Sequence, residues 1–495
     1  MQRRQFLRKA LTISGTIALP TGFYHAAFAA SQPAAITDFS ALQLSAAIHQ
    51  RTVSCSEVMQ AYIAHIDRYN PVYNAIVSLV DDGDLLAQAR AADEALARGE
   101  NRGWMHGMPH AVKDLSAVAG LRFTSGSPLY ADRIADSDSG LAAKIRSAGA
   151  IFIGKTNSPE LGLGSQTYNP VFGATGSACN PALTAGGSSG GAASGLGTHM
   201  LPVADGSDMM GSLRNPGAFN NVIGFRPSTS VMTNADASSR ALSVSGPMGR
   251  NTADTIQLLE TIAERPIGID LAALNLRGVR LGWMGSFDNY LAMEPGVLPL
   301  CETALGGLTS AGCNIEALPP NFNMSDLWQC WTTLRHSGRA GMQDLYQDPA
   351  TRSLLKPELA WEIEQSLLIT PEDIALANRI RADWNNELDR LFAVYDFLIL
   401  PTAQVFPYPK EIHWPQTING KQMDTYHRWM EVVIPGSLGG IPVVNVPVGF
   451  DAQGRPMGIQ VMGKFGDDRR VLEFALAYEN ITNHLQQRPQ LVAAQ

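Results

Sequence analysis

The chain has 495 residues, 45% apolar and 17% charged, with 46 Gly and 29 Pro. That is ordinary globular composition, with enough length for a large buried core. A net charge of −8 with no long basic run argues against nucleic acid or an anionic membrane surface as the main partner.

The first nine residues, MQRRQFLRK, carry Arg3-Arg4 ahead of Phe6-Leu7. A mildly apolar run over residues 10–19 follows, then Ala27-Phe28-Ala29 as a small-residue cleavage site. This pattern predicts a twin-arginine-type signal peptide over residues 1–29. It implies a periplasmic or secreted protein, exported folded, with the twin-arginine machinery as a partner. No later segment reaches about 18 uninterrupted apolar residues, so no stable membrane insertion is expected once the signal is removed. Five cysteines, Cys55, Cys179, Cys301, Cys313 and Cys330, are odd in number and widely spaced without C-x-x-C. They read as buried thiols, not as disulfides or a zinc site, and neither metal nor cofactor is expected.

Residues 36–70 predict two short amphipathic helices. The second starts at a Ser54-x-x-Glu57 capping box and ends at Pro71. Residues 83–98 predict another helix, and GMPHAVKD a short strand ending in Lys113-Asp114. Residues 140–156 run from helix into apolar strand and contain a literal Walker A match, Gly149 to Gly154-Lys155-Thr156. A phosphate loop needs a strand before its first glycine and a flexible loop after it. Here a helix precedes and Ala150-Ile151-Phe152-Ile153 is strand, so nucleotide binding is rejected.

Residues 186–214 hold two serine sites in glycine-rich backbone, Ser188/Ser189 and Ser212. Glycine permits strained turns, and a serine beside such turns can present its hydroxyl next to unpaired N–H groups, as a nucleophile and oxyanion hole require. Gly187-Ser188-Ser189-Gly190-Gly191 also matches G-x-S-x-G, but a nucleophile elbow needs a hydrophobic strand running into it. The approach from Asn180 to Gly186 reads as a loop, and the match is set aside.

In the second half, Thr370-Pro371-Glu372-Asp373 opens a helix with cap, N1 proline and first-turn acids. Ile380, Trp384, Leu388 and Leu391 mark one of its faces. Trp328, Trp331 and Trp384 either shape an aromatic binding site or, at helical spacing, pack in the core. Strands are predicted at residues 397–402, 443–448 and 457–462, the last two joined by a turn at 451–454, and a terminal helix over 469–484.

Taken together, GMPHAVKD, AGAIFIGKTNSPE, GGSSGG, SDMMGSLRNPGAFNNVIGFRPS, GPMGRNTAD and IPGSLGGIPVVNVPVGFDAQGRPMGIQVMG resemble the amidase signature family over nearly the whole mature chain. The resemblance implies one large α/β domain over residues 30–495, a mixed twisted sheet of roughly ten strands sandwiched by helices. Its signature core would span about 105–255 and a variable substrate-binding region about 265–395. It implies hydrolysis of a small-molecule or peptide amide to acid plus ammonia or amine, without metal or cofactor. Ser212 would be the acylating nucleophile, Ser188, on a cis peptide bond, the proton relay, and Lys113 the base. Such a lysine must be neutral, so burial must lower it from about 10.4. Ser189, Ser207 and Asp208 would support the site, and Arg214 would brace it or meet a substrate carboxylate. The N–H groups of Met209, Met210, Gly211 and Ser212 would form the oxyanion hole, worth about 3 kcal/mol per donor. The family more often has Gly where this chain has Met210; a side chain there restricts the turn, and Met209 and Met210 either line an apolar pocket or pack in the core. Two rival readings are the glutaminase subunit of a tRNA-dependent amidotransferase, which the signal peptide opposes, and a silent periplasmic binding protein, which retention of the three triad residue types opposes.

Overall fold

The structure is a computed structural model describing residues 35–233, 240–268 and 271–494; the signal peptide expected over residues 1–29 lies outside them. Eleven strands build its two main sheets. They are β1 (Ile76–Val77), β2 (Pro109–Lys113), β3 (Ile151–Thr156), β4 (Val203–Asp208), β5 (Ile223–Arg226) and β6 (Val244–Gly249). The second half adds β7 (Arg280–Trp283), β8 (Asn314–Ala317), β9 (Phe397–Pro401), β10 (Val443–Phe450) and β11 (Pro456–Met462). An eight-stranded mixed sheet runs β8-β7-β9-β11-β10-β5-β6-β4. Within it β7 is parallel to β8 and to β9, and the other pairs are antiparallel. A separate three-stranded sheet runs β1-β3-β2, so the single sheet of roughly ten strands is corrected to eight plus three.

The seam between the sheets has a physical cause. Strands β2 and β4 are both edges, but no backbone ladder joins them. The Asp205 carboxylate sits between them, accepting from the Lys113 N–H at 3.3 Å and meeting His110 Nε2 at 3.0 Å. A side chain thus satisfies backbone that a ladder between β2 and β4 would have used.

Among the helices are α1 (Ala41–His49), α2 (Cys55–Tyr73), α3 (Asp82–Ala97), α4 (Gly190–Gly197), α5 (Arg214–Phe219), α6 (Met324–Ser337), α7 (Pro357–Ser366), α8 (Pro371–Phe392) and α9 (Asp468–Ile481). The predicted capping box forms between Ser54 and Glu57, and the predicted cap at Thr370 closes into a capping box with Asp373 as well. Helix α2 runs two residues past Pro71 and stops at Asn74, which takes φ 50°. In the last turn the exposed Pro71 removes a single ladder bond, which the helix tolerates. Trp328, Trp331 and Trp384 are 9%, 0% and 1% exposed inside the main-sheet core, so all three are packing residues. All five cysteines are free thiols. Among the described residues no helix is long and apolar enough to cross a membrane, and no cluster could hold a metal ion.

Candidate active site

Strand β2 delivers Lys113 into the interior, where it is 1% exposed. Its Nζ donates to Ser188 Oγ at 2.7 Å, Ser189 Oγ at 2.8 Å and Ser207 Oγ at 3.1 Å. Ser188 and Ser189 come from the turn into α4, after a cis Gly187–Ser188 peptide bond, and Ser207 comes from β4. Gly206 makes the approach possible: a Cβ there would lie 2.6 Å from Ser189 Oγ. Burial pushes Lys113 down to about 7, while the charges of Asp205 and Asp208 hold it up against a further fall. An ammonium offers three protons to three hydroxyls, whereas a neutral amine offers two and must accept one. Loss of one proton from Lys113 therefore turns a serine hydroxyl from acceptor into donor.

Ser212 lies on the turn from β4 to α5, and Ser189 N–H donates to its carbonyl at 3.3 Å, tying the two serine sites together. The turn is clamped by Asp208, whose carboxylate accepts from Gly211 N–H at 3.0 Å, Leu213 N–H at 3.1 Å and Arg214 Nε at 3.0 Å. Arg226 Nη1 also bonds it, at 3.3 Å. Burial alone would raise this carboxyl; Arg214 and Arg226 hold it well below the usual carboxylate range. Removing one partner strands buried charge, so Asp208→Asn is expected to destabilise the protein by about 3–5 kcal/mol. A thermal midpoint unchanged from the parent would refute that.

Arg214 resolves the two roles open to it. It is fully buried, and its remaining donors go to Val433 O, Gln460 Oε1 and Ser437 Oγ. It braces the turn and has nothing left for a substrate. The turn also tolerates methionine at position 210. Met210 takes no positive φ; Gly211 does, at 75°, and a Cβ there would come within 2.9 Å of the Val433 methyls. The position that requires glycine has it. Met210 packs into the core at 2% exposure and still borders the cavity, so both of its expected surroundings apply. Of the four N–H groups expected to face an oxyanion, that of Gly211 is bonded to Asp208. Those of Met209, Met210 and Ser212 have no acceptor among the described residues.

A cavity of about 340 Å³ brings Ser188, Ser207, Met209, Met210 and Ser212 together. The Ser212 hydroxyl takes no hydrogen bond among the described residues. Sequence reasoning missed two further lining residues of the cavity, Arg335 and Arg339, and missed Asp205 and His110 at the seam. His110 stood inside the recognised GMPHAVKD segment; the arginines carry no local signal. The rejected motifs stay rejected. Lys155 lies on β3 with Nζ bonded to Ser116 O. Residues 180–184 form a short strand where a loop was expected, but residues 185–187 separate it from Ser188.

The family model described as Amidase matches residues 57–472. An acylamidase of Rhodococcus erythropolis is 30% identical over 466 residues, 91% of this chain and 97% of its own. A glutamyl-tRNA(Gln) amidotransferase component from Thermosynechococcus vestitus is 28% identical over 481 residues, 88% of this chain and 97% of its own. Among solved structures, a bacterial aryl acylamidase superposes with TM-score 0.82 at 24% identity, covering 90% of this chain and 98% of its own. The peptide amidase of Stenotrophomonas maltophilia gives TM-score 0.74 at 23% identity, covering 92% and 99%. The chain belongs to the amidase family.

Proposed function

We propose that this amidase hydrolyses a carboxylic amide through an acyl-enzyme on Ser212, with Ser188 and Lys113 as the proton relay. The observation that carries the reading is the buried Lys113, lowered to about 7 and bonded to Ser188 at the cavity that also holds Ser212. Ser212 Oγ attacks the carbonyl carbon and gives its proton to Ser188, whose own proton passes to Lys113. The carbonyl oxygen, now anionic, is met by the N–H groups of Met209, Met210 and Ser212. Lys113 returns the proton through Ser188 to the departing nitrogen, and water, activated by the same relay, releases the acid. No cofactor takes part.

Purified protein should release ammonia or amine from members of a diverse amide panel. A fluorophosphonate should label Ser212, and label on another serine, or none, would sink the acyl-enzyme. The acylamidase relative and the aryl acylamidase and peptide amidase neighbours support hydrolysis over amide-nitrogen transfer. The Arg3-Arg4 leader further supports an exported enzyme. A fusion of residues 1–35 that leaves a reporter in the cytoplasm would refute export.

Asp205 gives a sharper test of the base. Its charge raises Lys113, so Asp205→Asn should lower the lysine further and move the acid limb of kcat/KM to lower pH. Simple loss of packing would depress the plateau and leave the limb in place. A limb that moves upward would refute Lys113 as the titrating group.

A further inference from the structure

The cavity that holds the serines is also lined by two arginines. Arg335, on α6, is 5% exposed, and Arg339 follows just after that helix. A single carboxylate serves both: Arg335 Nε donates to Glu362 Oε1 at 2.5 Å and Arg339 Nε to Glu362 Oε2 at 3.0 Å. Tyr426 Oη donates to the same carboxylate and accepts from Arg335 Nη2 at 2.8 Å. Two guanidiniums against one carboxylate leave one positive charge in excess. Among the described residues the cavity wall carries no acidic group to balance it.

Both of these lining arginines keep unused donors. Arg335 Nη1 has only the thioether of Met209, at 3.7 Å, and a thioether is a weak acceptor. Neither terminal nitrogen of Arg339 has a protein acceptor among the described residues. Guanidinium nitrogens in a fixed fork match a carboxylate in two-point geometry. Met209 also fixes the scale. Its backbone N–H belongs to the oxyanion turn and its Sδ touches Arg335, so one methionine side chain separates the turn from the guanidinium. Leu161, Leu163 and Met430 supply apolar wall around that span.

We propose that Arg335 and Arg339 form an anion subsite of the catalytic cavity, and that the preferred substrates are short amides carrying a carboxylate a few bonds from the scissile carbonyl. This rests on the acyl-enzyme reading for where the scissile carbonyl lies. Arg335 also holds Glu362 and Tyr426 in place, so the test uses Arg339, whose outer nitrogens hold nothing.

The experiment measures binding by calorimetry to the Ser212→Ala protein. One ligand pair is glutaric acid monoanilide against pentananilide, and the other is N-pentanoyl-4-aminobenzoate against pentananilide. The carboxylate-bearing member of at least one pair should bind tenfold or more tightly. Arg339→Gln in the same background should erase the difference, and Arg339→Lys, which keeps the charge without the fork, should restore part of it. Equal affinities in both pairs, no binding of any ligand, or a preference that survives Arg339→Gln would overturn the subsite. Aniline release by the Ser212→Ala protein would count against the acyl-enzyme and leave the subsite result standing, so the two failures are distinguishable.

Discussion

Ser212→Ala is expected to lower amide turnover by on the order of 10⁵-fold or more, to the limit of detection, while leaving the protein folded. Removing a nucleophile takes away the covalent route itself, and residual rate comes only from binding and the oxyanion donors. The folding side of the expectation follows from the geometry. The Ser212 hydroxyl has no hydrogen bond among the described residues, so alanine strands no partner. The turn is held instead by Asp208 through the N–H groups of Gly211 and Leu213, and the substitution touches neither. Ser188→Ala differs in kind. It breaks a 2.7 Å bond to Lys113 and removes a proton carrier, for which about 10²–10⁴-fold is the expected loss. The ranking separates attack from relay. Purified variants compared by amine release and by thermal midpoint check both halves. A Ser212→Ala protein retaining even a hundredth of the parent rate would mean that another group attacks.

Much of this site was legible in the sequence because its parts are local. Lys113 closes a strand that its own residues specify, and Ser188 and Ser212 sit in glycine-dense turns whose composition has few other uses. The capping boxes at Ser54 and Thr370 set helix starts for the same reason, since partners three residues apart need no tertiary information. What escaped is non-local. The break between β2 and β4 depends on a carboxylate 92 residues from the N–H it binds. Arg335 and Arg339 sit in and just beyond an amphipathic helix, where arginine is ordinary, and only the packing of α6 beside the β4–α5 turn gives them a cavity to face. The Met210 departure looked like a threat because sequence cannot say which residue of the turn takes positive φ. The backbone puts that demand on Gly211.

Lys113→Ala should cut turnover by about 10²–10⁴-fold, the usual contribution of a positioned base, and should also remove the acid limb of the parent's pH profile. The sign follows from the lowered value. A base acts when neutral, and with Lys113 at about 7 the active fraction is half at pH 7. It falls to about a tenth at pH 6 and about a hundredth at pH 5, one decade per unit. The rate therefore falls on acidification and reaches its plateau above about pH 8. No competing group on the cavity wall titrates there: among the described residues its ionisable members are Arg335 and Arg339. Behind that wall, burial holds His336 down to about 4 and His427 well below the usual histidine range, so both stay neutral across the limb. Lys155 and Lys356 are also buried and lowered to about 8, but their Nζ groups are committed to the carbonyls of Ser116 and Leu163, and neither lysine lines the cavity. The profile of kcat/KM between pH 5 and 9, for parent and variant on one neutral amide, decides the matter. A variant that is slow but keeps an unshifted acid limb would assign that limb to another group and leave Lys113 a structural residue.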